Sequence, residues 1–129
     1  MRGKVDSLLV NGVQTNRPFT VEMWVCLDAN ASEEMALFGD DGYSMEEKGL
    51  ICAVDEANYL RFGFLSHQVK SEEPIVCRGQ WSHVCGTYSS TQELSLYFNG
   101  QLVAYSSDSG THKMGYDVRR TFFLSCLLF

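Results

Sequence analysis

The sequence predicts an all-β fold, a sandwich of antiparallel strands, and three observations carry that prediction. Apolar residues recur with a period of two in several short segments. Those segments follow one another at intervals of about ten residues, separated by turn-forming clusters, the rhythm of sandwiches and barrels. No stretch sustains a period near 3.6, and the one turn that Ser32 could cap, over residues 31–37, is too short to form a helix of its own. No internal repeat of solenoid or propeller length is present.

The elements follow in order. Phe19, Val21, Met23, Val25 and Leu27 alternate with Thr20, Glu22, Trp24 and Cys26, which describes a strand with one apolar face. Pro18 suits its start, where a missing N–H does no harm. Residues 28–34 are a polar loop containing the glycosylation triplet Asn30-Ala31-Ser32. Ala36-Leu37-Phe38 make a short strand, broken by the turn Gly39-Asp40-Asp41-Gly42. Residues 49–54 and 59–65 are strands joined by Asp55-Glu56-Ala57-Asn58. Ser71-Glu72-Glu73-Pro74 is a loop, Ile75-Val76-Cys77 a short strand and Arg78-Gly79-Gln80 a turn. Residues 81–88 form the next strand, closed by a polar turn over 89–92.

The strongest local signal is Asn99-Gly100, a pair that supplies the positive φ values of a two-residue type I′ turn. A turn at that place pairs Phe98 with Gln101, Leu96 with Val103 and Leu94 with Tyr105 on one largely apolar face. Ser95, Tyr97, Leu102 and Ala104 take the other face, and a slip of one residue would invert the pattern.

Composition bounds the function. The 129 residues suit one domain, and 45% hydrophobic with 12% aromatic residues supply a core. A formal charge of -6 repels phosphate backbones and anionic membranes, so nucleic acid and membrane surfaces are not expected partners. No run approaches the roughly 20 apolar residues of a membrane span. Leu8-Leu9-Val10 is too short for the core of a signal peptide, which leaves an intracellular protein or a piece of a longer secreted one. The five cysteines, Cys26, Cys52, Cys77, Cys85 and Cys126, form no C-x-x-C pair, so zinc finds no usual spacing. Cys26, Cys52 and Cys85 lie in apolar strand patterns and read as buried free thiols, which favours the reducing interior of a cell.

Three pieces in fixed order carry a resemblance: Phe19-Thr20-Val21-Glu22-Met23-Trp24-Val25, then Trp81-Ser82-His83-Val84-Cys85-Gly86-Thr87-Tyr88, then Leu94-Ser95-Leu96-Tyr97-Phe98-Asn99-Gly100-Gln101-Leu102-Val103. The series resembles the laminin-G-like and pentraxin-like domains of the concanavalin A-like superfamily, over about residues 5–107. The resemblance implies an antiparallel jelly-roll sandwich of two stacked sheets. It implies a glycan or protein ligand on loops at one rim, often beside calcium. Pentraxin-like members often join the first of these strands to the second by a disulfide. Cys85 stands at the second position, but Glu22 stands at the first, so that bridge cannot form. Cys26, on the same face as Glu22, lies about 13 Å further along, beyond disulfide reach.

The family pattern also fails after the hairpin. Residues 1–107 read as the sandwich core, and 108–129 as an atypical tail. The apolar run Thr121-Phe122-Phe123-Leu124-Ser125-Cys126-Leu127-Leu128-Phe129 supplies one replacement strand, or else the domain is truncated. A missing strand would expose an edge beside Tyr105 and invite self-association.

The superfamily includes glycoside hydrolases, which need two carboxylates flanking the scissile bond. Glu22 and Glu93 stand alone on the expected strands, and the adjacent acid pairs fall in loops. His83 and Cys85 share a face, but no third orienting group accompanies them. His83 is therefore expected in the core or at a rim, with His67 and His112 in loops. Asp40 and Asp41, with Tyr43 beyond, are the candidate ligand contacts and the candidate calcium site, although two adjacent acids supply few of the six to eight oxygens calcium takes. Tyr88, Tyr97 and Tyr105 could stack on sugars. The expected function is a non-catalytic recognition module for a protein or carbohydrate. The alternatives are a structural module of a larger intracellular protein and a remnant glycoside hydrolase.

Overall fold

The computed structural model describes residues 4–14, 18–40, 50–64, 67–106 and 119–128, with residues 4–14, 40 and 119–128 as backbone only. Two antiparallel sheets make up the described fold. Six strands form the larger sheet: β1 (Lys4–Gln14), β3 (Met35–Asp40), β4 (Leu50–Val54), β5 (Leu60–Phe64), β6 (His67–Lys70) and β10 (Arg119–Leu128), in the spatial order β1-β10-β3-β4-β5-β6. The other four, β2 (Phe19–Val25), β7 (Ser82–Tyr88), β8 (Leu94–Phe98) and β9 (Gln101–Ser106), follow in the order β2-β7-β8-β9. Among the described residues no helix is long and apolar enough to cross a membrane.

The core fills the space between the sheets. Leu50, Cys52, Val54, Leu60, Phe62 and Phe64 of the larger sheet meet Val84, Tyr88, Leu94 and Leu96 of the smaller one. Aromatic edges lock the layers: the rings of Phe64 and Tyr88 meet at 5.2 Å, nearly perpendicular, and those of Phe19 and Phe62 at 6.5 Å. Where Phe62 crosses the smaller sheet it passes over Gly86, and a Cβ there would lie 2.7 Å from its ring. Glycine at that point is what permits the close approach.

The hairpin turns where the sequence places it. Asn99 and Gly100 have φ of 50° and 82°, both left-handed, and Phe98 pairs with Gln101. One step further the register departs from expectation. A bulge between Leu96 and Tyr97 lets Tyr97 pair with Leu102 and Leu96 with Ala104, not Val103. Leu94 accordingly meets Ser106, and Tyr105 moves to the Ser95 row on the outer face.

Other expectations need correction. Gly39 and Asp40 do not break β3 but belong to it, with Gly39 opposite Ile51. His67 opens β6 and is not in a loop; its Nε2 lies 2.8 Å from the Ser106 hydroxyl, linking the edges of the two sheets. Ile75-Val76-Cys77 runs as irregular chain, fixed by the Val76 N–H donating to the Asn58 carbonyl at 3.2 Å. Strand β7 begins at Ser82, one residue after Trp81. Strand β1 lies outside the segments of alternating pattern, and it pairs with β10 along Lys4 to Gln14. The apolar tail thus forms a strand between β1 and β3.

One rim is held by polar clamps. Asp55 Oδ1 accepts from the N–H groups of Ala57 and Tyr59, each at 2.9 Å, and its Oδ2 lies 3.2 Å from Lys70 Nζ. Burial pushes this carboxyl up, but the Tyr59 N–H, the Lys70 ammonium and the Ala57 N–H together hold it below the usual carboxylate range. Arg78 ties three loops, donating to Asn58 Oδ1 at 2.7 Å, the Glu33 carbonyl at 2.7 Å and the Asp55 carbonyl at 3.4 Å.

Candidate functional site

The smaller sheet presents a second face to solvent. Alternation sends Phe19, Val21, Met23 and Val25 inward, so Thr20, Glu22 and Trp24 point out. On β7 the same rule turns Val84 and Tyr88 in and His83, Cys85 and Thr87 out. Register then assembles three rows across the strands. Trp24 lies opposite His83; Glu22, Cys85, Tyr97 and Leu102 form the second row; Thr20, Thr87, Ser95 and Tyr105 form the third.

The first row and its diagonal neighbour make the most defined cluster. Trp24 is 66% exposed, an unusual state for the largest apolar side chain. Its ring lies 5.1 Å from the His83 ring, tilted at 59°. His83 Nε2 is 4.0 Å from Glu22 Oε2. The His83 backbone is fixed from the other side, where its N–H donates to Asn99 Oδ1 at 2.9 Å and its carbonyl accepts from the Asn99 N–H at 2.8 Å. The hairpin turn therefore holds the histidine that flanks the tryptophan. Trp81, two residues before His83, is 65% exposed. Along the third row the Tyr105 hydroxyl donates to the Glu93 carboxylate, which raises the phenol above its usual range.

The arrangement offers a flat apolar ring beside polar groups that donate and accept hydrogen bonds. It does not offer nucleophilic chemistry. Burial and then the Glu22 charge push the Cys85 thiol up, the wrong direction for a thiolate beside His83. His83 itself is on the outer face of the sheet, neither in the core nor at a rim as expected. Glu22 lies on β2 and Glu93 just before β8, with β7 between, their backbones about 16 Å apart at sheet spacing. Glycosidase carboxyls stand about 5 to 9.5 Å apart.

The rim candidates fare differently. Asp40 ends β3 opposite Phe122, and its side chain, like Asp41 and Tyr43, lies outside the described residues. Among the described residues no group of three or more His, Cys, Asp or Glu is placed to hold a metal. Tyr88 is buried in the core, while Tyr97 and Tyr105 share the outer face. Trp24 is not among the candidates that the sequence patterns single out, yet the strand pairing carries a signal for it. The alignment that sets Glu22 opposite Cys85 also sets Trp24 opposite His83, and the structure has both pairs.

A profile of the concanavalin A-like lectin/glucanases superfamily matches residues 3–120. The chain belongs to this superfamily. Among curated proteins, the pentraxin-related protein PTX3 of Mus musculus is 54% identical over 33 residues, which span 25% of this chain and 9% of that protein. Solved structures of the superfamily's jelly-roll type superpose on nearly the whole chain. The carbohydrate-binding module CBM66 from Bacillus subtilis aligns with a TM-score of 0.57 at 13% identity, covering 95% of this chain and 91% of that one. The CBM40 module of the Ruminococcus gnavus IT-sialidase reaches 0.65 at 10% identity, covering 95% and 78%. Sheep galectin-11 reaches 0.51 at 11% identity, covering 94% and 91%. These likenesses establish the fold of two antiparallel sheets that the superfamily shares.

Proposed function

We propose that this domain is a non-catalytic carbohydrate-recognition module whose ligand stacks on Trp24. The single observation that carries the reading is the exposed Trp24 ring, backed by His83 and Glu22 on the outer face of the four-stranded sheet. A sugar presents an apolar C–H face to such a ring and its hydroxyls to the flanking polar groups. Solved relatives of the same fold support the reading: several are carbohydrate-binding modules, one of them bound to α2,3-sialyllactose. The wide separation of Glu22 and Glu93 supports the absence of glycoside hydrolysis.

The test is a titration of the purified chain against a glycan panel, followed by tryptophan fluorescence and calorimetry. At least one glycan binds, and Trp24→Ala weakens it tenfold or more. A panel without a hit, or a hit that Trp24→Ala leaves intact, overturns the reading.

A protein ligand is the second reading, favoured by β9. That strand ends its sheet, with Leu102 and Tyr105 more than half exposed and no charged residue along it. Sedimentation velocity with and without Leu102→Lys tests self-association there: a dimer that the substitution dissolves supports it, and a monomer at all concentrations removes it.

A further inference from the structure

We infer that the Trp24 face selects electrically neutral glycans and rejects those carrying a carboxylate; this rests on the carbohydrate reading above. The four strands of the sheet, FTVEMWV, SHVCGTY, LSLYF and QLVAYS, contain no lysine or arginine. Their acid is Glu22, beside Trp24, and Glu93, the residue before β8, adds a second negative charge held by Tyr105.

The lysines and arginines whose side chains are described are engaged elsewhere. Arg61 pairs with Glu34, Lys70 with Asp55 and the Tyr59 ring, and Arg78 with Asn58 and the Glu33 carbonyl. None of the three belongs to the smaller sheet. Positive charge on His83 would be answered by Glu22, 4.0 Å away.

A carboxylate brought onto a protein surface loses water and needs charge-assisted donors in exchange, most often a guanidinium fork. Backbone N–H groups offer little over the face. Those of β7 lie between β2 and β8 and are paired on both sides, and the alternate N–H groups of β2 that face away from β7 open at the edge of the sheet, in its plane rather than beside the exposed ring. An acidic sugar on Trp24 would therefore meet an uncompensated like charge at Glu22. A neutral sugar meets acceptors for its hydroxyls.

The experiment uses paired probes that differ by one acidic sugar residue, and so by one negative charge: lactose against α2,3- and α2,6-sialyllactose, and xylotriose against the same trisaccharide bearing glucuronic acid; the salt and Glu22 arms separate the charge from the added sugar. Affinities are read by calorimetry at low and high salt. In every pair that binds, the neutral member binds about tenfold tighter. Added salt narrows the gap by screening the repulsion. Glu22→Gln narrows it as well, and Glu22→Arg reverses it. An acidic member that binds as well as its neutral partner, or a gap untouched by Glu22→Arg, overturns the selectivity while leaving the carbohydrate reading in place. Silence across all the pairs and the wider panel overturns both.

Discussion

On the inner side of β7, Val84, Gly86 and Tyr88 press into the core, and Phe62 leaves no room above Gly86 for a methyl group. On the outer side of the same strand, His83, Cys85 and Thr87 stay partly exposed, and Trp24 beside them stands open to water. One backbone thus carries two faces under different constraints. Inside, each side chain is explained by the volume it fills. Outside, a tryptophan fills nothing, and a threonine such as Thr20 or Thr87 would satisfy the strand as well. The exposed ring is the surface on which the proposed ligand would stack.

Substitutions separate the two faces, and the inner face yields the largest effects. Phe62→Ala removes a fully buried ring and costs about 3–5 kcal/mol, read as a lower urea midpoint with the slope unchanged. Gly86→Ala should cost about 1–3 kcal/mol by overpacking against that ring; a neutral result would mean the sheets part more easily than the contact implies. Asp55→Asn tests the polar rim. With its folded pKa below the unfolded value, the ionised Asp55 stabilises the fold above about pH 4, and that contribution fades as pH falls through the folded value. The variant is therefore about 1 kcal/mol weaker at neutral pH and converges with the wild type in thermal melts as pH falls through the folded value. The smallest stability effect belongs to the outer face. Trp24→Ala changes unfolding free energy by less than about 1 kcal/mol. A larger loss would give Trp24 a structural role and blur the distinction between the faces.

Much of this fold is legible in the sequence, and the reasons are local. Strand β2 alternates cleanly, and Asn99-Gly100 fixes its turn because both residues take positive φ. The bulge beyond that turn is invisible, since Leu94 and Leu96 face inward in either register and the shift changes only which residues of β9 lie opposite them. Strand β6, four residues at a sheet edge, is too short and polar to announce itself. Ile75-Val76-Cys77 has strand composition, but Val76 bonds to Asn58 in a loop rather than to a neighbouring strand. The candidate site was harder to read. Acids in glycine-rich turns draw attention to residues 40–43, whereas Trp24 looks like one more member of a mixed strand face. Its distinction comes only from solvent on one side and His83 on the other.

Cys52 and Cys77 give the fold a built-in chemical clock. Burial, reinforced by the nearby Cys85, pushes the Cys52 thiol up to about 12, and the side chain lies in the middle of the core. Cys77, the residue before Arg78, is exposed. An alkylating reagent therefore marks Cys77 in the native protein and reaches Cys52 only in molecules that have opened. The ratio of the two labelling rates meters the rare unfolded population directly, in buffer, without denaturant.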